Sequence, residues 1–157
     1  MIRTGIGYDV HQLAENRKLV IAGITIPYDK GSVGHSDGDA LSHAIIDALL
    51  GAVCIGDLGD YFPSEDNKWK GAKGLDLLSE SIKKVKSKGY TINNIDSIII
   101  IQEPMLKGYI FQIRENIAQA INIPIESVSV KATTVDHLGA IGRSDGWASQ
   151  AIITISK

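Results

Sequence analysis

The segment from Gly34 to Gly51, GHSDGDALSHAIIDALLG, constrains the fold more than any other stretch of the chain. It begins with residue types that start helices, namely Asp37, Gly38 and Asp39. Apolar residues then recur at helical spacing and predict an amphipathic helix, with a stripe of Ala40, Leu41, Ala44, Ile45, Ala48 and Leu49. One edge of this helix carries Asp39, His43 and Asp47. His35 and Ser36 precede it, where the positive helix end favours anions. The pattern indicates a site, although a solvated polar face with capping aspartates would look the same.

The first strand is expected to bring two more polar side chains to that helix. Residues 2–11 alternate as a strand, with Asp9 and His11 on the same face as Gly5 and Gly7. Because the glycines leave this face bare, another group can approach it closely. Asp9, His11 and His43 can then supply three ligands to one metal ion and leave a fourth position open. That is the arrangement of a catalytic zinc site.

The rest of the chain mixes strands and helices without strict alternation. A hairpin is expected at 18–28 with its turn near Ala22-Gly23, and further strands at 98–101, 128–133 and 148–155. Two more helices are expected at 75–85 and 110–121. The four isoleucines at 98–101 need cover on both faces, from helices or from another subunit. We expect a single domain of residues 1–157 with an α+β layered fold, in which helices cover one face of a mixed sheet.

Two polar segments have the composition of loops that carry function. Residues 54–66 are rich in glycine and aspartate, and residues 133–146 read TTVDHLGAIGRSDG. The second segment, with Lys131 before it, offers hydroxyls, a carboxylate and a guanidinium from Thr133, Thr134, Asp136 and Arg143. These groups suit phosphates bridged by magnesium. Taken alone, the same composition is typical of a surface loop.

Composition narrows the class of protein without choosing a function. A net charge of −2 gives no sign of a nucleic-acid or membrane surface, and no apolar run is long enough to span a bilayer. Cys54 is the one cysteine, which fits a reducing cytoplasm.

The residues leave two classes of function open. One is a metal-dependent enzyme acting on a phosphorylated small molecule, including a zinc-dependent phosphohydrolase with zinc-bound water as nucleophile. The other is a binding or regulatory module for an anionic, phosphate-bearing ligand.

Six segments together carry a resemblance to a known family: GIGYDVHQL, PYDKG, GHSDGDALSHAIIDALLGA, IGDLGDYFP, KGY and VKATT…LG…GR. From about Arg3 to the final strand, the chain resembles the 2-C-methyl-D-erythritol 2,4-cyclodiphosphate synthases. The resemblance implies a phosphorus–oxygen lyase of the non-mevalonate isoprenoid pathway. Such an enzyme converts 4-diphosphocytidyl-2-C-methyl-D-erythritol 2-phosphate into the 2,4-cyclodiphosphate and releases CMP. It also implies a cytoplasmic homotrimer whose active sites lie between subunits.

The resemblance assigns roles to individual residues. Asp9, His11 and His43 would hold zinc, and His35 and Thr134 would stabilise the transition state. The second metal, magnesium or manganese, would bind Asp136, and phosphate would contact Ser36. The remaining substrate contacts would come from Asp57, Leu58, Gly59, Phe62, Pro63 and Asp66 along the erythritol, and from Ile101, Pro104, Met105, Leu106, Lys107, Ala132 and Thr133 around the cytosine.

The chain departs from the family pattern in its C-terminal half. Asp136 stands where a glutamate is usual, so the second metal is expected to bind differently or through a water. His137 replaces a lysine, and Ala140 replaces a phenylalanine of a cavity on the trimer axis. Arg143 would otherwise help to bind an isoprenoid ligand in that cavity, and Ala140 puts this ligand in doubt.

Overall fold

The computed structural model describes all 157 residues and contains seven strands and five α-helices. The strands are β1 (Ile2–Glu15), β2 (Leu19–Ile21), β3 (Ile24–Ile26), β4 (Lys30–Ser32), β5 (Thr91–Ile100), β6 (Val128–Thr133) and β7 (Gly146–Ser156). The helices are α1 (Ala40–Ala52), α2 (Leu58–Tyr61), α3 (Gly74–Ser87), α4 (Ile110–Ile121) and α5 (Gly139–Gly142). Two short 3₁₀ turns lie at Asn67–Trp69 and Ile125–Ser127. No helix is both long and apolar enough to cross a membrane.

The main sheet has the order β4-β1-β7-β5-β6 and is mixed, because β5 and β6 run parallel while the other pairs are antiparallel. The expected α+β fold is confirmed: helices pack on one face of this sheet, with α1 lying across β1 and β7. The expected hairpin is also present as β2 and β3. Its turn residues Ala22 and Gly23 have φ angles of +46° and +74°, as a two-residue hairpin turn requires.

Helix α1 begins as its sequence predicts. The side chain of Asp39 caps the helix by accepting a hydrogen bond from the Ser42 backbone N–H at 3.2 Å. The whole apolar stripe of the helix is buried. Helix α1 also approaches β1 unusually closely. A Cβ at Gly5 would lie 1.9 Å from the Ala48 carbonyl oxygen, and one at Gly7 would lie 2.0 Å from that of Ala44. Glycine is therefore required at both positions for this contact.

The other face of the sheet is open in the single chain. Its apolar side chains remain between 46% and 72% exposed at Ile2, Ile6, Tyr8, Val10 and Ile152. Strand β5 differs from the sequence expectation because it starts at Thr91, well before the isoleucine run. Backbone pairing with β7 extends to Thr91 opposite Ser156, and this pairing does not depend on apolar side chains. Ile98 and Ile100 stay half-buried, so helices cover one face of this strand and not both.

Candidate metal centre and active site

The contact between β1 and α1 brings three potential metal ligands together. Asp9 Oδ2 lies 3.0 Å from His11 Nε2 and 3.0 Å from His43 Nδ1, and the two imidazole nitrogens lie 3.2 Å apart. Ligands at 2.0–2.2 Å from a tetrahedral zinc ion are separated by roughly 3.3 Å. The three donor atoms therefore fit the positions around one divalent metal ion. The grouping expected from the sequence is present in the fold.

The partners of the two histidines favour the ring forms that bind metals. Nδ1 of His11 lies 2.9 Å from the Val33 carbonyl oxygen, which can only accept, so Nδ1 carries the hydrogen and Nε2 is free to bind a metal. Nε2 of His43 lies 3.2 Å from Ser36 Oγ, and its Nδ1 faces Asp9. Ser36 Oγ also accepts a hydrogen bond from the Gly38 N–H at 3.2 Å. Hydrogen bonds of this kind orient metal-binding histidines and fix their tautomers.

The electrostatics of the three side chains are dominated by their mutual contacts. Burial alone would raise the pKa of the Asp9 carboxyl, but hydrogen bonds and charge interactions with His11 and His43 outweigh it and hold that pKa well below its usual range. Burial alone would lower the pKa of His11, whereas its contacts with Asp9 and the Val33 carbonyl raise it above the ordinary value. Asp9 is therefore ionised at neutral pH and available as a ligand.

A cavity of about 200 Å³ opens over the three ligands. The predicted residues His35, Ser36, Leu58 and Phe62 line it, together with Ser64, Trp69 and Leu77. The sequence interpretation missed Trp69, although an aromatic residue following the polar 54–66 segment is a usable signal. The Trp69 ring packs edge-on against Phe62, with the ring centroids 4.9 Å apart. The cavity thus has one polar, metal-binding wall and one apolar wall.

His35 is joined to the segment that forms the apolar wall. Its Nε2 lies 3.3 Å from the Asp66 carbonyl oxygen, and its own carbonyl accepts a hydrogen bond from the Gly71 N–H at 2.8 Å. The Nε2–H therefore donates to Asp66, which leaves Nδ1 as the free ring atom. Because Asp66 and Gly71 lie on either side of the 3₁₀ turn, His35 holds both ends of this wall.

Asp57 and Asp47 organise the neighbouring helix α2. Asp57 caps it by accepting from the Asp60 N–H at 3.2 Å, and the Asp60 side chain accepts from the Asp57 N–H in return. Asp47 on α1 accepts a hydrogen bond from the Leu58 N–H at 2.8 Å, which ties the start of α2 to the helix that bears His43. Burial raises the pKa of Asp47 above its ordinary value. The polar segment predicted to bind the erythritol hydroxyls is therefore fixed to α1.

A second and larger cavity, about 710 Å³, contains the residues expected around the cytosine. All seven of them line it, namely Ile101, Pro104, Met105, Leu106, Lys107, Ala132 and Thr133, and Thr134 lines it as well. Tyr28, Gln102, Glu103 and Ile110 complete the lining and were missed from the sequence. The segment from Ile101 to Lys107 follows β5 directly, so the end of this strand positions the cavity.

The structure of one chain does not bring every predicted site residue together. His35 lines the small cavity, whereas Thr134 lines the large one. Asp136 is exposed on the turn after β6, and the Arg143 Nε donates to Asp145 Oδ2 at 3.1 Å. Asp57, Gly59, Pro63, Asp66, Asp136 and Arg143 line neither cavity. The roles expected for these residues stay predictions.

Comparisons with known proteins agree with this arrangement. The sequence model of the YgbB family matches residues 2–156. A relative from Alkaliphilus oremlandii, named 2-C-methyl-D-erythritol 2,4-cyclodiphosphate synthase, is 53% identical over 99% of each chain. Residues of this chain also superpose on the bifunctional IspDF of Campylobacter jejuni with a TM-score of 0.95 and 40% identity, covering 99% of this chain and 42% of that one.

A second solved structure adds a ligand. The CDP complex of IspF from Plasmodium falciparum has a TM-score of 0.86 and 32% identity to this chain, and the match covers 98% of this chain and 95% of that one. Fold, metal-ligand geometry and full-length sequence similarity therefore agree. The chain belongs to the YgbB family, the family of the 2-C-methyl-D-erythritol 2,4-cyclodiphosphate synthases, as the resemblance of its sequence implied.

Proposed function

We propose that this protein is a phosphorus–oxygen lyase that converts 4-diphosphocytidyl-2-C-methyl-D-erythritol 2-phosphate into 2-C-methyl-D-erythritol 2,4-cyclodiphosphate and CMP, in the non-mevalonate pathway to isoprenoids. The observation that carries this proposal is the division of the site residues. A metal-ligand triad occupies one cavity, and the residues expected around a cytosine line another. Full-length relatives with this activity in their names, and a relative that binds CDP, support it.

The reaction needs no group from the enzyme as a nucleophile. An oxygen of the 2-phosphate attacks the β-phosphorus of the same molecule, and the bond from that phosphorus to the oxygen bridging to the α-phosphorus breaks. CMP leaves with the bridging oxygen, so atoms balance without water. Catalysis then consists of positioning two phosphate groups and neutralising their charge.

The residues of this chain divide these tasks. Asp9, His11 and His43 would hold zinc, which when bound polarises a phosphate oxygen as a Lewis acid. The Val33 carbonyl keeps the His11 ring in the tautomer that this requires, and Ser36 Oγ can accept the Nε2–H of a His43 bound through Nδ1. His35, whose ring is held by the Asp66 carbonyl, would contact a phosphate oxygen through its free Nδ1. Thr134 would contact the same phosphate group from the large cavity, which holds the nucleotide.

Asp136 would hold magnesium or manganese, which would supply positive charge to neutralise the substrate phosphates. A single protein carboxylate combined with substrate phosphates and waters is the usual way in which magnesium binds. Asp136 meets this requirement because its carboxylate is exposed beside Thr134 at the end of β6. The exposed, unpaired thiol of Cys54 supports a reducing compartment, and we propose that the protein acts in the cytoplasm.

The separation of His35 from Thr134 supports a homotrimer with shared sites. If each site combines the small cavity of one subunit with the large cavity of its neighbour, the two residues can act on one substrate. The exposed apolar face formed by Ile2, Ile6, Tyr8, Val10 and Ile152 offers a surface for such an assembly. Sedimentation equilibrium would test the assembly against a mass three times the 16.9 kDa of one chain.

Complementation would test whether the sites are shared. Subunits carrying H43A and subunits carrying T134V should each be inactive alone. Random mixed trimers should recover about a quarter of the wild-type rate, because one site in four combines both intact halves. No recovery in mixed trimers would place both residues of each site in the same subunit.

Phosphorus NMR of the substrate incubated with protein, zinc and magnesium tests the reaction itself. We expect the signals of a cyclic diphosphate and of CMP. CMP with an open-chain phosphate product would instead identify a zinc-dependent phosphohydrolase. An unchanged spectrum with zinc bound would refute both enzymatic activities, the cyclisation and the hydrolysis, and would favour a binding module for phosphate ligands.

A further inference from the structure

The turn that carries Asp136 has an unusual backbone conformation. Asp136 and His137 have φ angles of +51° and +61°, so two consecutive residues with side chains lie in the left-handed region. Residues with a Cβ are less stable in this region than in the right-handed one, although Asp and His enter it more readily than most residues. Contacts from other parts of the chain therefore help to hold two such residues in succession.

Gln102 supplies two of these contacts. Its side-chain oxygen Oε1 accepts hydrogen bonds from the backbone N–H of Val135 at 3.4 Å and of His137 at 3.1 Å, on the two sides of Asp136. Because both partners are donors, the orientation of the Gln102 amide is determined by them. The turn is further confined by Gly142, where a Cβ would lie 2.1 Å from the His137 carbonyl carbon.

Gln102 also belongs to the large cavity. It is the second residue after β5, is half-buried, and lines this cavity together with Thr134 and the residues expected around the cytosine. A single side chain thus joins the nucleotide cavity to the turn that presents Asp136. The sequence alone did not single out Gln102, because its partners are backbone groups more than thirty residues away.

We propose that Gln102 is a positioning residue, which holds the Val135–His137 turn and so places Thr134 and Asp136 against the substrate phosphates. It does this without contacting the reacting atoms. The inference rests on the proposed cyclisation, in which Thr134 and Asp136 act. Substrate affinity on the nucleotide side should therefore not depend on the Gln102 amide, whereas turnover should.

The test compares Gln102→Met with two further variants. Methionine keeps the length of the side chain but removes the strong acceptor. Gln112→Met is the matched control, because Gln112 is an exposed glutamine on α4 whose amide contacts only Glu115 and Asn116. The double variant Q102M/H137G removes the cost of holding a residue with a Cβ at positive φ at position 137, because glycine adopts a φ of +61° readily. Amide hydrogen exchange, the affinity for CMP and kcat are measured for each.

In Q102M we expect the amides of Val135 and His137 to exchange at least about tenfold faster and kcat to fall about tenfold, as the loss of two ordinary hydrogen bonds would give. CMP affinity should stay within about twofold, Q112M should match the unmodified protein, and Q102M/H137G should regain most of kcat.

Three results would overturn the proposal: unchanged exchange at the two amides, a loss of CMP affinity as large as the loss of kcat, or no recovery in the double variant. The second would mean that Gln102 contacts the nucleotide directly. Absence of cyclisation by the unmodified protein would refute the proposed function and the positioning role together. The exchange rates would still decide whether the two hydrogen bonds exist.

Discussion

Replacement of Ser36 by alanine should weaken metal binding although Ser36 is not one of the three ligands. When His43 binds a metal through Nδ1, its Nε2 carries the hydrogen, and Ser36 Oγ at 3.2 Å is placed to accept it; His43 is only 7% exposed. In the alanine variant this N–H has no partner, so the ring either keeps an unsatisfied buried donor or moves the proton to Nδ1. Nδ1 is the atom that faces Asp9, and a proton there blocks the metal ligand.

The size of the effect follows from the hydrogen bond that is lost. Hydrogen-bonding partners of metal-binding histidines contribute a factor of about 10 to 100 in metal affinity, which corresponds to about 1.4 to 2.7 kcal/mol. Leaving one buried polar group unsatisfied costs about 1 to 3 kcal/mol. The estimate from metal affinities and the estimate from the unsatisfied N–H therefore give the same range of free energy. We expect zinc to bind S36A about 10 to 100 times more weakly than the unmodified protein.

The assay is competition for zinc against a chromophoric chelator at pH 7.5, with circular dichroism to confirm the fold. S64A is the control, because Ser64 lines the same cavity but makes no hydrogen bond to a ligand histidine. S36A binding zinc within about threefold of the unmodified protein, or S64A losing as much affinity, would refute the reasoning, since the expected loss is about tenfold or more.

Three further changes test other parts of the structure. Gly7→Ala should lower the free energy of unfolding in urea by about 3 kcal/mol, because its Cβ would meet the Ala44 carbonyl oxygen at 2.0 Å. Burial raises the pKa of Asp39 from 3.8 to about 6. Its folded state thus binds a proton more tightly than the unfolded state, so stability should fall as pH rises between these values, and denaturation of Asp39→Asn should lack this part of the pH dependence. Asp136→Ala should raise the magnesium concentration for half-maximal turnover while zinc content, measured by atomic absorption, stays unchanged.

The sequence predicts the grouping of Asp9, His11 and His43 well because its signals are local. Alternation in β1 puts Asp9 and His11 on one face, and helical periodicity puts His43 on the polar edge of an otherwise apolar α1. The capping role of Asp39 follows from its place before the apolar stripe. Each of these inferences needs only a few neighbouring residues. The three ligands also need α1 to lie close to β1, and the glycines of β1 leave room for the helix there.

Other features depend on distant partners and were not predictable. Gln102 acts on backbone groups of a later turn, and Trp69 lies at the small cavity on a segment whose two ends hydrogen-bond to His35. The extent of β5 is determined by its pairing with β7 rather than by its own apolar residues. Alternation and the glycines of β1 predict which face meets α1, but not how much of the opposite face, with Ile6 on it, stays exposed in one chain.

The orientation of β1 joins the fold to the chemistry. An apolar strand face normally turns toward the helices, but here the face with Gly5 and Gly7 does so, because only positions without a Cβ let the backbone of α1 approach to contact distance. That same approach brings His43 Nδ1 within 3.0 Å of Asp9 Oδ2. A methyl group at position 7 would push α1 outward and separate these two atoms, so the metal-ligand geometry is a direct consequence of the glycine contact. The apolar face is left outward for the same reason, and its exposure and the metal centre therefore have one structural cause.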